Sequence, residues 1–173
     1  MPEAKFRKIL RSLKDHEVRF IVVGGLASVL NGAPVNTFDI DIVPARDPAN
    51  LEKLLLVLDG LDAIYRIQPQ RRFKPNISHL SSPGHQNLMT NCGPLDVLGT
   101  IGLGLTYDDL LPHSIEVDVS ADLRVRVLGL AKIIEIKEEL RRDKDLAMLP
   151  TLRQTLKEQQ RGLTWPTGSK EGP

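Results

Sequence analysis

Phe20-Ile21-Val22-Val23-Gly24-Gly25 leads, through helix-compatible residues, into Thr37-Phe38-Asp39-Ile40-Asp41-Ile42-Val43. The first run is apolar and β-branched, and residues 17–23 read as a buried strand. It ends on two glycines. Leu26 to Leu30 reads as a short helix opening directly after them, and Asn31-Gly32-Ala33-Pro34 ends that helix with turn chemistry. The second run alternates and reads as a strand over 38–43. Side chains on a strand alternate between faces, so Asp39 and Asp41 project together, while Phe38, Ile40 and Ile42 are expected in the core. Aspartate is disfavoured in strands, so two at this spacing need a reason. One reason is a solvated sheet face. The other is a hard cation such as Mg²⁺, held by carboxylate oxygens together with substrate phosphates.

Outward from this centre, residues 3–14 read as an amphipathic helix with Phe6, Ile9, Leu10 and Leu13 on one face. Asp47-Pro48 opens a helix to about Leu58, with Pro48 at a favoured first-turn position. The polar, basic, proline-containing stretch from Ile67 to Gly84 reads as loop with one short strand. Leu88-Met89-Thr90 and Leu95-Asp96-Val97-Leu98 are strand candidates, 115–119 and 123–128 a hairpin, and 130–141 and 144–159 two helices. The Gly/Pro-rich tail from Gly162 is expected to fray. Strands and helices that alternate early, a late hairpin and closing helices predict an α+β fold of α/β-like pattern. Its mixed sheet would be flanked by helices, in one domain over 1–161.

Bulk properties narrow the function classes. A net charge of +1 gives no global pull toward nucleic acid or membrane. One cysteine, Cys92, excludes an intrachain disulfide and a cysteine-based zinc site, and the four histidines lack ligand spacing. No apolar stretch reaches signal-peptide or membrane-spanning length, so a cytoplasmic protein is expected.

A third carboxylate would complete a metal site. Asp96 is one candidate, facing away from the core side taken by Leu95 and Val97. Glu116 and Asp118 are the rivals, also two residues apart. If the hairpin turns at Ser120-Ala121-Asp122, however, Asp118 lies opposite Arg124 and Glu116 opposite Arg126. That register explains all four as cross-strand charge pairs. Asp96 has no such obvious partner and is the favoured third ligand.

Gly24-Gly25, between strand and helix, lets a backbone approach a ligand closely, and the helix start suits phosphate, with Ser28 able to add a hydroxyl. A plain tight turn explains a lone Gly-Gly as well. Neither a Walker-type Gly-Lys-Ser/Thr nor a Gly-x-Gly-x-x-Gly follows, which argues against P-loop and dinucleotide readings. Glycines and paired carboxylates together point to chemistry on a nucleoside triphosphate.

Gly24-Gly25, Thr37-x-Asp39-x-Asp41 and a strand Asp96 resemble the nucleotidyltransferase superfamily, with its polymerase-beta-like fold. More closely, the chain resembles the small bacterial AbiEii-toxin-like and minimal nucleotidyltransferases. Gly93-Pro94-Leu95-Asp96-Val97-Leu98-Gly99 and Leu130 to Lys137 followed by Arg142-Asp143-Lys144-Asp145-Leu146 strengthen the likeness, which spans about 18–158. Two departures stand out: Val35 and Met148 replace an arginine and an acidic residue found in many relatives. The resemblance implies a Mg²⁺-dependent transfer of a nucleoside monophosphate from an NTP, with a two-metal site. Asp39, Asp41 and Asp96 would be the catalytic metal ligands; Gly24, Gly25, Ser28, Thr37, Lys137 and Lys144 would bind nucleotide. The acceptor would be an RNA end, a protein or a small molecule, and a partner antitoxin is implied.

Lys137 borders the apolar stripe of its helix, so it reads either as a solvated lysine or as a group reaching the triphosphate. A salt-bridged helix junction explains Arg142 and Asp145 equally well. Arg71, Arg72 and Lys74 around Phe73 read as a solvated loop before an acceptor site. Two rivals to the transferase remain: a non-catalytic nucleotide- or partner-binding module of the same fold, and a metal-dependent nuclease or phosphatase. The glycine turn fits a triphosphate better than a duplex backbone.

Overall fold

The apolar run becomes strand β1 (Phe20–Val23), buried along its whole length. A computed structural model describing residues 4–164 places it inside a seven-stranded mixed sheet. The other strands are β2 (Ile40–Pro44), β3 (Ile64–Tyr65), β4 (His85–Thr90), β5 (Gly93–Leu98), β6 (Ser114–Ser120) and β7 (Leu123–Leu128). Their order is β3-β4-β5-β2-β1-β7-β6. β1 runs antiparallel to β2 and parallel to β7, and β2 runs parallel to β5. A strand with neighbours on both sides and both faces covered must be apolar throughout, which is why β1 shows no alternation. Each fully buried Ile or Leu here, such as Ile21, Ile40 or Ile42, contributes roughly 1.5–3 kcal/mol of burial free energy.

The helices are α1 (Ala4–Asp15), α2 (Gly24–Leu30), α3 (Pro48–Gly60), α4 (Ile77–Ser81), α5 (Tyr107–Leu110), α6 (Leu130–Leu140) and α7 (Asp143–Thr164). α3 packs with α1 and α4, while α2 packs with α6 and α6 with α7. Phe6, Ile9, Leu10 and Leu13 of α1 are buried, as their spacing predicts. Asp47 caps α3 by accepting the Asn50 N–H at 3.1 Å, and Pro48 takes the first turn. Buried Asn31 ends α2 and donates to the Leu128 carbonyl at 3.0 Å, tying the glycine-led helix to β7. Among the described residues no helix is long and apolar enough to cross a membrane.

Three expectations need correction. β2 starts at Ile40, not at 38, and Phe38 is 82% exposed instead of buried. The Thr37 hydroxyl donates to the Asp39 carbonyl at 3.0 Å, so the chain is still turning there and strand alternation begins only afterwards. The 67–84 stretch contains no strand. Gln68 and Arg72, both at φ 49, bracket a 3-10 turn over Pro69–Arg71, and left-handed residues cannot extend a ladder. α4 then forms because Asn76 accepts the His79 N–H at 2.9 Å. The last helix runs to Thr164, beyond the expected end at 159; of the tail expected to fray, residues 165–173 lie outside the described residues.

Candidate active site and metal centre

Parallel pairing of β2 with β5 sets Asp41 directly beside Asp96. Cross-strand neighbours share a face, so both carboxylates project together. Asp39, at the turn one residue before β2, joins them: one carboxylate oxygen from each of the three lies within 4.8 Å of the others. The rival acids do not join. Glu116 pairs with Arg126 and Asp118 with Arg124 across the β6–β7 hairpin, in the register expected from sequence.

The two glycines are explained by this cluster. Gly24 sits at φ +65, and a Cβ there would lie 2.2 Å from Asp41 Oδ2. A Cβ on Gly25 would lie 2.8 Å from Thr37 Oγ1. The backbone therefore approaches the protein's own carboxylate and threonine, and any side chain would push them off the site. Ser28 is not brought to the site. It is fully buried, and its hydroxyl turns back to the Gly24 carbonyl at 3.3 Å, which holds the first turn of α2. Thr37 shapes the turn that presents Asp39.

Burial and the neighbouring negative charges of Asp39 and Asp96 push the Asp41 carboxyl up from 3.8 to about 7, against the opposing pull of Arg66 and Lys144. Asp96 is raised too, chiefly by burial, although the Arg66 guanidinium opposes the shift. Like charges held this close titrate upward unless a cation sits among them. Three hard oxygen donors, partly buried and mutually repelling, fit a divalent ion of the Mg²⁺ type. Two surface concavities, one beside Asn31 and Leu130 and one beside Pro34 and Pro150, contain none of these aspartates.

The lysines separate. Lys137 Nζ lies 2.9 Å from Asp145 Oδ1, and Arg142 pairs with the same fully buried carboxylate. Burial pushes Asp145 up, but the hydrogen bonds from Arg142 and Lys137 outweigh it and hold the group below the ordinary range. Lys137 thus anchors the α6–α7 junction that the sequence offered for Arg142 and Asp145, and does not stand as a solvated lysine. Lys144, beside that anchor, is the lysine whose charge acts on Asp41. In the 66–76 segment, Arg72 pairs with Asp62, Lys74 lies 3.8 Å from both Asp59 and Asp62, and Arg71 stacks 6.0 Å from the Phe73 ring. Most of that basic cluster is therefore neutralised locally.

The residue that the sequence reading missed is Arg66, which pairs with Asp96. Nothing in its local pattern announces it, because the partner is 30 residues away.

No known family profile matches the sequence, and no curated protein matches it. Among solved structures, the chain is similar to a crystal structure from Thermotoga maritima of a protein described as a candidate nucleotidyltransferase. The TM-score is 0.53 and the identity 20%, over 88% of this chain and 91% of that one. The seven-stranded mixed sheet that seats Asp39, Asp41 and Asp96 therefore belongs to a nucleotidyltransferase fold.

Proposed function

We propose that this protein is a Mg²⁺-dependent nucleotidyltransferase of the AbiEii-toxin-like or minimal group, working in the cytoplasm. The reaction moves a nucleoside monophosphate from an NTP to an acceptor hydroxyl: the acceptor oxygen bonds to the α-phosphorus, the bond to pyrophosphate breaks, and the hydroxyl proton leaves. The observation that carries this reading is the convergence of Asp39, Asp41 and Asp96 within 4.8 Å beside a glycine turn. Asp39 and Asp41 would hold a divalent ion, and Asp96 would complete the set of ligands and accept the hydroxyl proton. Divalent ions bound there would supply charge neutralisation for the triphosphate. Lys144 adds positive charge from α7, and the Gly24-Gly25 turn lets the phosphates approach the backbone. Catalysis of this kind is mostly positioning and electrostatics. The acceptor is an RNA end, a protein side chain or a small molecule, and an antitoxin is the expected protein partner.

One observation favours a second reading. Arg66 already neutralises Asp96, as a non-catalytic nucleotide- or partner-binding module would allow. Incubation with Mg²⁺, each labelled NTP, total RNA and lysate separates the two. Label transfer by the wild type but not by the Asp39→Asn/Asp41→Asn variant supports the transferase. Nucleotide binding without transfer to any acceptor supports the module.

A further inference from the structure

Arg66 occupies a defined place in the sheet. Its N–H donates to the Asn87 carbonyl at 3.0 Å, which carries the β3–β4 ladder one position past the Tyr65–Leu88 pair. Asn87 pairs with Asp96, and Asp96 with Asp41. Arg66, Asn87, Asp96 and Asp41 thus form one lateral row across four adjacent chain segments, on one face. The Arg66 side chain leans across Asn87 and places its guanidinium on Asp96 Oδ1. Among the described residues it is the one cation in a salt bridge with any of the three aspartates, and its partner is Asp96. The two partners differ in exposure: the Asp96 side chain is 12% exposed and that of Arg66 33%. The carboxylate is fixed in the sheet, while the guanidinium sits at the rim and can reach outward.

Charge then limits what the site accepts. Three ionised carboxylates and one guanidinium leave two negative charges, which one divalent ion neutralises. A second divalent ion would carry the site two charges past neutral until a polyanion arrived, against a single charge were position 66 neutral. Arginine is suited to leave a carboxylate for a phosphate, because its planar fork matches both.

We propose that Arg66 fills the place of the second cation in the nucleotide-free protein and passes to the phosphates of the incoming nucleoside triphosphate, freeing Asp96 for metal. This rests on the function proposed above and adds an order to it: one divalent ion binds first, and the second enters only with nucleotide.

The test is to count Mn²⁺ by electron paramagnetic resonance on the purified full chain, with and without a non-hydrolysable NTP. Arg66→Gln, Arg66→Lys and Asp39→Asn/Asp41→Asn are measured alongside. The wild type is expected to bind one ion alone and two with nucleotide. Arg66→Gln is expected to bind two ions without nucleotide and to hold nucleotide about tenfold more weakly, roughly the loss of one charge-assisted hydrogen bond. Arg66→Lys, which keeps the charge, is expected to bind one. Two ions on the nucleotide-free wild type, or an unchanged count in Arg66→Gln, overturns the role of Arg66 and leaves the transferase reading standing. Mn²⁺ binding that ignores the Asp39→Asn/Asp41→Asn change overturns both.

Discussion

Two pairs of acids in this chain have the same spacing and opposite fates. Glu116 and Asp118 lie two residues apart on β6, as Asp39 and Asp41 do at the start of β2. On the hairpin each acid faces an arginine of β7, and both side chains are more than half exposed. Hydrogen bonding from Arg124 holds Asp118 below its ordinary range. At the sheet centre the acids face a third carboxylate instead, and burial with like charge drives Asp41 up to about 7. The spacing does not make a site; the strand in register beside it does.

Breaking the central pair carries the largest expected effect. If the proposed function holds, Asp41→Asn should lower nucleotidyl transfer by at least ~10³-fold, because a bound metal would lose a ligand. The same change should raise the melting temperature of the metal-free protein, since it removes a repelled, partly buried charge. Transfer assays and thermal melts on one preparation check both signs. Glu116→Gln/Asp118→Asn, the matched change on the hairpin, should keep activity within about twofold.

Next is the glycine that admits the carboxylate. Gly24→Ala should destabilise the fold by roughly 1–3 kcal/mol, through left-handed strain and collision with Asp41, and should abolish Mn²⁺ binding. Gly104, at φ +99 with nothing within 4 Å of a built Cβ, carries the strain without the collision. Gly104→Ala should therefore retain full Mn²⁺ affinity, and urea titrations with Mn²⁺ binding measure the contrast.

The third difference is in pH. Between its unfolded value of 3.8 and about 7, Asp41 keeps a proton in the folded protein that the unfolded chain releases. The stability this group contributes is complete below 3.8 and is lost as pH rises to 7. For Asp118 the sign reverses: its contribution exists above 3.8 and is lost as pH falls through its lowered folded value. Metal-free wild type should thus lose urea resistance between pH 3.8 and about 7 relative to Asp41→Asn. Mn²⁺ affinity should fall by up to about tenfold per pH unit below 7, as one proton competes with the ion.

Smallest is the hairpin itself. Glu116→Gln/Asp118→Asn should shift the melting temperature by no more than about 2 °C, because exposed pairs contribute little. Added salt should not change the ranking of these variants if burial separates the two pairs; a collapse of the Asp41 effect at high salt would contradict that explanation.

Much of this was legible in the chain. β1 announced itself by an unbroken apolar run, α1 and α3 by spacing and capping, and the hairpin by acids and arginines that match in one register only. The aspartate pair and Asp96 were identifiable because carboxylates on strands are costly. What misled was locality. Phe38 sits in an alternating run, yet the Thr37–Asp39 hydrogen bond bends the chain there and exposes the ring. Ser28 follows a glycine turn, yet its hydroxyl is spent inside α2.

By itself, then, the sequence determined the longer strands and helices, though not the short β3, α4 and α5, and which carboxylates have no local partner, because periodicity and capping act over a few residues. Only the tertiary structure decided that Gly24 makes room for Asp41, that Lys137 serves Asp145 while Lys144 acts on the site, and that Arg66 sits on Asp96. Those are contacts between segments far apart in the chain, fixed by strand register and helix packing that no local pattern records.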